Sequence, residues 1–230
     1  MLADSSLQLQ LTAYLNVNQR RSYMLMNISK PMSHISKVIL VIGALYFVVA
    51  CSSTSKKIEP IQIEKPASAI VKPILTEDDK IAYKQGLALI KEKSYVEAEE
   101  IFKGLIDRYP TLAGAYVNLG LIRHSNRQLA EAEGYYQQAL DINPKNVNAL
   151  IQLSLISQDE GKFQDSERFL KSALAKDSNH PMVNYNLGVL YELYLRDYDQ
   201  AIEHYQAYVK NAGEDDTKTV ERWIKMLERK

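Results

Sequence analysis

AGAYVNLGLIRHSNRQLAEAEGYYQQALDINP, residues Ala113 to Pro144, reads as two helices in succession followed by a stop. Gly120 falls in the middle of the first, Ala132 early in the second, Leu129 at the start of the second and Tyr136 further along it, and Pro144 comes just after it. A step of 34 residues in either direction finds the same kinds of residue. Gly120 has Gly86, Ser154 and Gly188; Ala132 has Ala98 and Ser166; Pro144 has Pro110. Leu129 has Tyr95, Phe163 and, one residue late, Tyr198, while Tyr136 has Phe102, Leu170 and, again one late, Tyr205. Several columns in phase at one step are the signature of a repeat array in which each unit is one helix pair.

Each column has a steric reason. A glycine or serine in the first helix and an alanine early in the second let two helix backbones approach closely, and the aromatic columns fill the space between neighbouring pairs. The prolines stand where the chain must leave the helix before the next pair begins. Ser94 with Glu97 has the spacing of a capping box, and Asp197 with Gln200 a looser form of it. The fourth unit carries one extra residue in its inner turn, which predicts a bulge around Leu195 to Tyr198.

On these residues the chain resembles the tetratricopeptide repeat family: AYVNLG followed by EAEGYYQQALDINP matches its pattern of aromatic, Leu, Gly, then Ala, aromatic, Ala and Pro. The resemblance runs from about Thr76 to Gly213 and implies an all-α, helix-pair solenoid of about four repeats plus a C-terminal capping helix. The units are Asp79 to Leu112, Ala113 to Asn146, Val147 to His180 and Pro181 to about Asp215. Leu105 in the first unit and Ser154 and Ser166 in the third depart from the pattern. The resemblance further implies that the first helix of each pair lines a concave groove. Its fifth and ninth positions would be Tyr83 and Leu87, Val117 and Leu121, Ile151 and Leu155, Tyr185 and Val189; its sixth, Lys84, Asn118, Gln152 and Asn186. This describes an apolar trough edged by amides, with His124 and Glu192 as polar ends, suited to an extended peptide or an amphipathic helix. An alternative is that the fifth and ninth positions are buried by the next repeat. The chaperone-binding members grip a terminal carboxylate with lysines and asparagines at inner positions; the fifth and ninth positions here hold neither, which argues against that ligand.

The two ends of the chain add separate expectations. Val220, Trp223, Ile224 and Leu227 form one apolar stripe, with Asp215 or Asp216 as a cap, and a terminal helix of this kind covers the raw end of an array. Near the other end, VILVIGALYFVVA, Val38 to Ala50, follows Lys37. It is short for a membrane span, which takes roughly 20 residues, and has the length of a signal-peptide core. Val48-Val49-Ala50-Cys51 resembles the lipobox of bacterial lipoproteins, which implies that Cys51, the single cysteine of the chain, is acylated and becomes the mature N-terminus. Ser52 in place of an aspartate implies the outer membrane, at its periplasmic face. The expected organisation is therefore 1–31 a mis-annotated or disordered N-terminus, with Met32, Met24 or Met26 as the true start; 32–50 signal peptide; 51–75 lipidated cysteine and flexible tether; 76–213 repeats; 214–230 capping helix.

Composition narrows the function classes. The full chain balances 28 basic against 28 acidic residues, but Met1 to Ala50 holds Arg20, Arg21, Lys30 and Lys37 against Asp4 alone, so the remainder is acidic. Nucleic-acid binding needs a basic face and is disfavoured. His34, His124, His180 and His204 show no metal-ligand spacing, and no glycine-rich phosphate loop is present. The reading is a non-enzymatic scaffold, with no catalytic or metal site, no cofactor and no small-molecule substrate. Its partner would be a protein or peptide of the cell envelope, and its membrane contact the lipid anchor. Two roles fit: a pilotin-like adaptor for a pilus, secretion or outer-membrane machine, or a scaffold for peptidoglycan enzymes. The oligomeric state is left open, the tyrosines at 191, 194, 198, 205 and 208 being either core or a dimer face.

Overall fold

Each unit folds as the glycine column dictates. The computed structural model describes residues 73–213 and 217–230, and among them are nine α-helices and no strand. These are α1 (Glu77–Lys91), α2 (Tyr95–Arg108), α3 (Ala113–Ser125), α4 (Leu129–Ile142), α5 (Val147–Asp159), α6 (Phe163–Leu174), α7 (Pro181–Leu190), α8 (Tyr198–Asn211) and α9 (Lys218–Leu227). A five-residue π-helical segment, Tyr191–Leu195, continues α7. Each helix packs on the one before and the one after it, and α1 also touches α3. The result is four pairs and a terminal helix. The proposed signal peptide, lipobox and Cys51, and the alternative start sites, lie outside the described residues.

The period is explained inside each pair. A Cβ added to Gly86 would stand 2.8 Å from the Phe102 ring, one added to Gly188 would stand 2.5 Å from the Tyr205 ring, and Gly120 faces Tyr136 in the same way. The aromatic column of Phe102, Tyr136 and Tyr205 thus lies on the glycine of its own pair, and Phe102 and Tyr136 also share a cluster with the inner helix of the next pair, as the sequence suggested. Where the third unit has Ser154 its facing column holds Leu170, and both are fully buried. The Ser154 hydroxyl donates to the Ile151 carbonyl (2.6 Å), so burying it leaves no orphan donor. Ser166, in the alanine column, accepts from Gln158 Nε2 (2.9 Å) across the same pair.

The inner turns carry a second column that sequence reading did not find. Lys93, Arg127, Gly161 and Arg196 all have positive φ, between 60° and 73°. The first three close their helices as the left-handed residue of a Schellman motif, and Arg196 ends a π-helical turn. Ser94 N–H donates to Leu89 O, Gln128 N–H to Arg123 O, and Lys162 N–H to Ser157 O, each five residues back; in the fourth unit Asp197 N–H reaches six back, to Tyr191 O (3.1 Å). The extra residue is therefore taken up as a π turn over Tyr191–Leu195, slightly upstream of the predicted bulge. The same bonds decide the caps. Because the Ser94 amide is committed to Leu89, Glu97 has no N–H to accept, and the Ser94 side chain makes no cap bond either: that capping box does not form. Asp197 keeps half of its box, accepting from Gln200 N (3.1 Å).

The ends of the array are tied down differently. At the start, Asp79 accepts from the Thr76 hydroxyl, the Tyr109 hydroxyl and Arg108 Nη2, each at 2.6 Å. These bonds, Thr76 foremost, hold its carboxyl down at about 2. At the other end α9 buries Val220, Trp223, Ile224 and Leu227, and Trp223 lies 5.7 Å from the Tyr205 ring and 6.2 Å from Tyr185. The N-cap of α9 is Thr217 and makes no side-chain cap bond; Asp215 and Asp216, the expected caps, lie outside the described residues. Tyr191, Tyr205 and Tyr208 are buried core residues.

Candidate interaction groove

The first helices of the four pairs, α1, α3, α5 and α7, carry the residues expected to line a groove. They lie deeper than expected. Val117 and Leu155 are 2 % exposed, Ile151 is 3 %, and Tyr185 is fully buried; Leu87, Leu121 and Val189 are buried as well, while Tyr83 is half-buried. Val117 and Leu121 share one apolar cluster with Ala149, Leu153 and Ile156 of α5, and Ile151 and Leu155 share another with Met182, Val183 and Tyr185 of α7. The picture of an open apolar trough at these positions is corrected accordingly. An inner helix needs apolar residues where it meets the next inner helix as much as where it would meet a ligand, and these residues occupy that first role.

The amides of the sixth positions stand out chemically. Asn118 and Asn186 are 0 % and 1 % exposed, and Gln152 is also buried. Asn118 Nδ2 donates to the Tyr83 hydroxyl (3.0 Å), linking the inner helices of the first two pairs. Asn186 Nδ2 donates to the Met182 carbonyl (2.7 Å). In both side chains the carbonyl oxygen accepts no hydrogen bond. A buried acceptor left in this way costs about 1–3 kcal/mol. Turning the Asn118 amide over would only exchange which of its two polar atoms goes unpaired, and turning Asn186 over would set its oxygen against the Met182 carbonyl and lose the bond it has. The same interface holds a residue the sequence did not flag. A Cβ at Gly114 would meet the Tyr83 hydroxyl at 2.6 Å, so Gly114 is what admits that hydroxyl between α1 and α3. Burial there pushes the Tyr83 phenol up to about 12, which keeps it a neutral hydrogen-bonding group at any ordinary pH.

Charge across the array is arranged in local pairs. Arg123 of α3 is ion-paired with Glu99 of α2 and lies 3.1 Å from Glu131 of α4, so one guanidinium ties the first pair to the second. Lys103 holds the Glu99 carboxyl below its usual range, with Arg123 adding to the effect. His124 and Glu192, expected as polar ends of the trough, differ in setting: Glu192 is buried and accepts from the Tyr205 hydroxyl (2.7 Å), while His124 is only partly covered. Among the described residues no group of His, Cys, Asp or Glu is arranged to hold a metal ion.

Three sequence-family models match, each described as a tetratricopeptide repeat, over residues 82–111, 113–146 and 155–216. A comparison with curated proteins finds no match. Among solved structures, the fold is similar to TTC0263, a thermophilic tetratricopeptide repeat protein of Thermus thermophilus. That similarity has a TM-score of 0.57 and 23% identity, and covers 67% of this chain and 83% of that one. PilF of Pseudomonas aeruginosa is similar with a TM-score of 0.58 and 18% identity, over 66% of this chain and 70% of that one. A tetratricopeptide repeat protein of Parabacteroides merdae gives 0.52 and 19%, over 66% of this chain; the match spans 61% of that protein's length. At these identities the likeness is one of fold.

Proposed function

Because this chain belongs to the tetratricopeptide repeat family, whose arrays serve as protein-protein interaction scaffolds, we propose that it is a lipid-anchored adaptor of the bacterial envelope. In this reading it holds a peptide or helix of an assembly component against α3, α5 and α7. Family membership supplies the general role; the unpaired amide carbonyls of Asn118 and Asn186 carry the specific one. Both oxygens are closed off from the surface, so binding would require the covering side chains to give way; a polypeptide laid along the inner helices presents backbone N–H groups at short intervals that could then satisfy them. Binding then recovers a desolvation cost that the free protein bears.

The envelope setting rests on the lipobox resemblance at Val48–Cys51 and on the single cysteine. Acylated at Cys51, the protein would sit at the periplasmic face of the outer membrane with its repeats on a tether of 24 residues, Ser52 to Leu75. A flexible chain of that length spans roughly 27 Å, enough to clear the headgroups. A pilotin-like role in a pilus, secretion or outer-membrane machine follows from that placement together with peptide capture. The second reading, a scaffold docking folded peptidoglycan enzymes, would use a broad face and leave the amides idle.

One substitution separates them. Asn186→Leu removes the unpaired oxygen and keeps the branching of the side chain with somewhat more bulk, so the two effects oppose each other and the variant should stay within about 1 kcal/mol of the parent in stability. It should bind less. In an array of overlapping peptides from envelope proteins encoded beside this gene, retained peptides are expected to bind the variant at least about tenfold more weakly, the equivalent of roughly 1.4 kcal/mol. Equal retention would remove the amides from the binding site and favour the second reading. The anchor is tested apart from this: radiolabelled palmitate should enter the parent and not Cys51→Ala, and label-free parent protein would refute the lipobox assignment.

A further inference from the structure

Each later inner helix buries one face against the pair before it, and among the described residues α1 has no pair before it. A step of 34 residues puts Ile81 in register with Ala115, Ala149 and Val183, which are all fully buried. Ala88 falls in register with Ile122, Ile156 and Leu190, each at most 2 % exposed, and Gln85 with the buried Leu119, Leu153 and Leu187. On α1 the same three positions are open: Ile81 is 62 % exposed, and Gln85 and Ala88 are exposed with it. The neighbours of α1 lie on its other sides, where Gly86 faces Phe102 of α2 and the Tyr83 hydroxyl accepts from Asn118 of α3. At 100° per residue, Ile81, Gln85 and Ala88 form the centre of one stripe, with Asp78 on one flank and Glu77 and Lys84 on the other. All six are exposed. The far end of the array has the same raw face and closes it with α9.

We propose that this face docks a second copy of the chain, α1 against α1, antiparallel about a two-fold axis through Ile81. The order of side chains along the stripe is self-complementary in that arrangement. Residues equally far before and after Ile81 come together, and those on one flank stay on that flank. Glu77 of each copy then stands beside Lys84 of the other, a pair of opposite charges made twice. Asp78 stands beside Gln85, whose amide can donate to the carboxylate. Ala88 meets Ile74, which is 92 % exposed in the single chain. On its own helix Glu77 already holds Lys80 (2.6 Å) yet keeps 82 % of its side chain exposed, so it has oxygen surface left for a second cation. Antiparallel helices also set the positive end of one dipole against the negative end of the other. Gln85 and the flanking charges, where the later units have leucine, keep the face soluble in the free chain and the association reversible. The dimer leaves α3, α5 and α7 to either binding role and presents them twice, so a partner with two copies of a bound segment gains by avidity.

The test is sedimentation equilibrium of the full chain in detergent micelles, at about 100 µM protein and about 50 mM salt, where surface charges are weakly screened. The parent should approach the protein mass of two chains. Ile81→Lys, which sets two like charges on the axis, should sediment as one chain. Glu77→Lys and Lys84→Glu each turn both attractive pairs into repulsive ones, and each variant should dissociate at least about fivefold more readily than the parent. Mixed in equal amounts, these two single variants should pair with one another and regain the parent's association, because each supplies the charge the other lacks. Mixing does not repair a folding defect, so the recovery reports this face alone. A monomeric parent overturns the proposal, whether the face stays bare or residues before Pro73 cover it. A dimer that Ile81→Lys leaves intact overturns it too, as does a mixture that associates no more tightly than its components.

Discussion

Gly188 and Gly134 are both glycines inside helices, and they should respond to alanine in opposite directions. A Cβ on Gly188 would stand 2.5 Å from the Tyr205 ring, which is itself fully buried and bonded to Glu192, so the ring has nowhere to move. Overpacking of this kind costs about 1–3 kcal/mol, more than the ~1 kcal/mol that alanine gains over glycine in a helix. Gly188→Ala is expected to lower the urea midpoint. Gly134 has nothing within 4 Å of an added Cβ and is exposed on α4, so helix propensity acts alone and Gly134→Ala should raise the stability by up to about 1 kcal/mol, and the urea midpoint with it. Finding both variants destabilised would mean that the 34-residue glycine column is not special. The sequence identified Gly120 and its column through their period; it gave no sign of Gly114, which has no periodic counterpart and whose role depends on a tyrosine hydroxyl from another helix.

At the scale of the elements, the inner turns are where the units are least alike in sequence and most alike in backbone. Lys93, Arg127 and Arg196 adopt the left-handed conformation that Gly161 adopts at no steric cost. Side-chain-bearing residues there cost roughly 1 kcal/mol each. Lys93→Gly and Arg127→Gly should each stabilise the protein by several tenths of a kcal/mol to about 1 kcal/mol, measured as a rise in urea midpoint with unchanged slope. A fall would show that the long side chains contribute more by covering apolar surface than their backbone geometry costs. This column escaped sequence reading because lysine and arginine do not mark a left-handed turn. The capping box at Ser94 was misread for a related reason: the two residue types are right, but the preceding turn has already engaged the amide they would share.

For the whole molecule, the decisive asymmetry is that the last pair is covered and tightly packed by α9. Removing residues 214–230 would strip Val220, Trp223, Ile224 and Leu227 from the core they share with Tyr185, Tyr205 and Tyr208. Each fully buried apolar side chain contributes roughly 1.5–3 kcal/mol, so the truncated chain should lose several kcal/mol and expose apolar surface. A drop in thermal midpoint of well over 5 °C together with new binding of a hydrophobic dye is the expected result; an unchanged midpoint would show that the four-pair array is closed without its terminal helix. The ion pairs of Arg123 act over the same range in the first half of the array, yet at the partly exposed surface they weigh about 1 kcal/mol or less, and packing sets the stability.

By itself the sequence determined the all-helical repeat, the number of pairs, the extra residue of the fourth unit and the apolar stripe of α9, because each is a matter of period, and steric period survives translation along the chain. The tertiary structure decided which side of an inner helix each apolar residue serves. Val117, Leu121, Ile151 and Leu155 look the same in sequence whether they face a ligand or the next helix, since both surfaces call for the same side chains; only packing separates the two. Packing likewise left Asn118 and Asn186 as amides buried with an unpaired oxygen and drew His180, Asn184 and His204 into one chain of contacts. A hydrogen-bond account depends on which atoms meet in space, and spacing along the sequence does not carry that information.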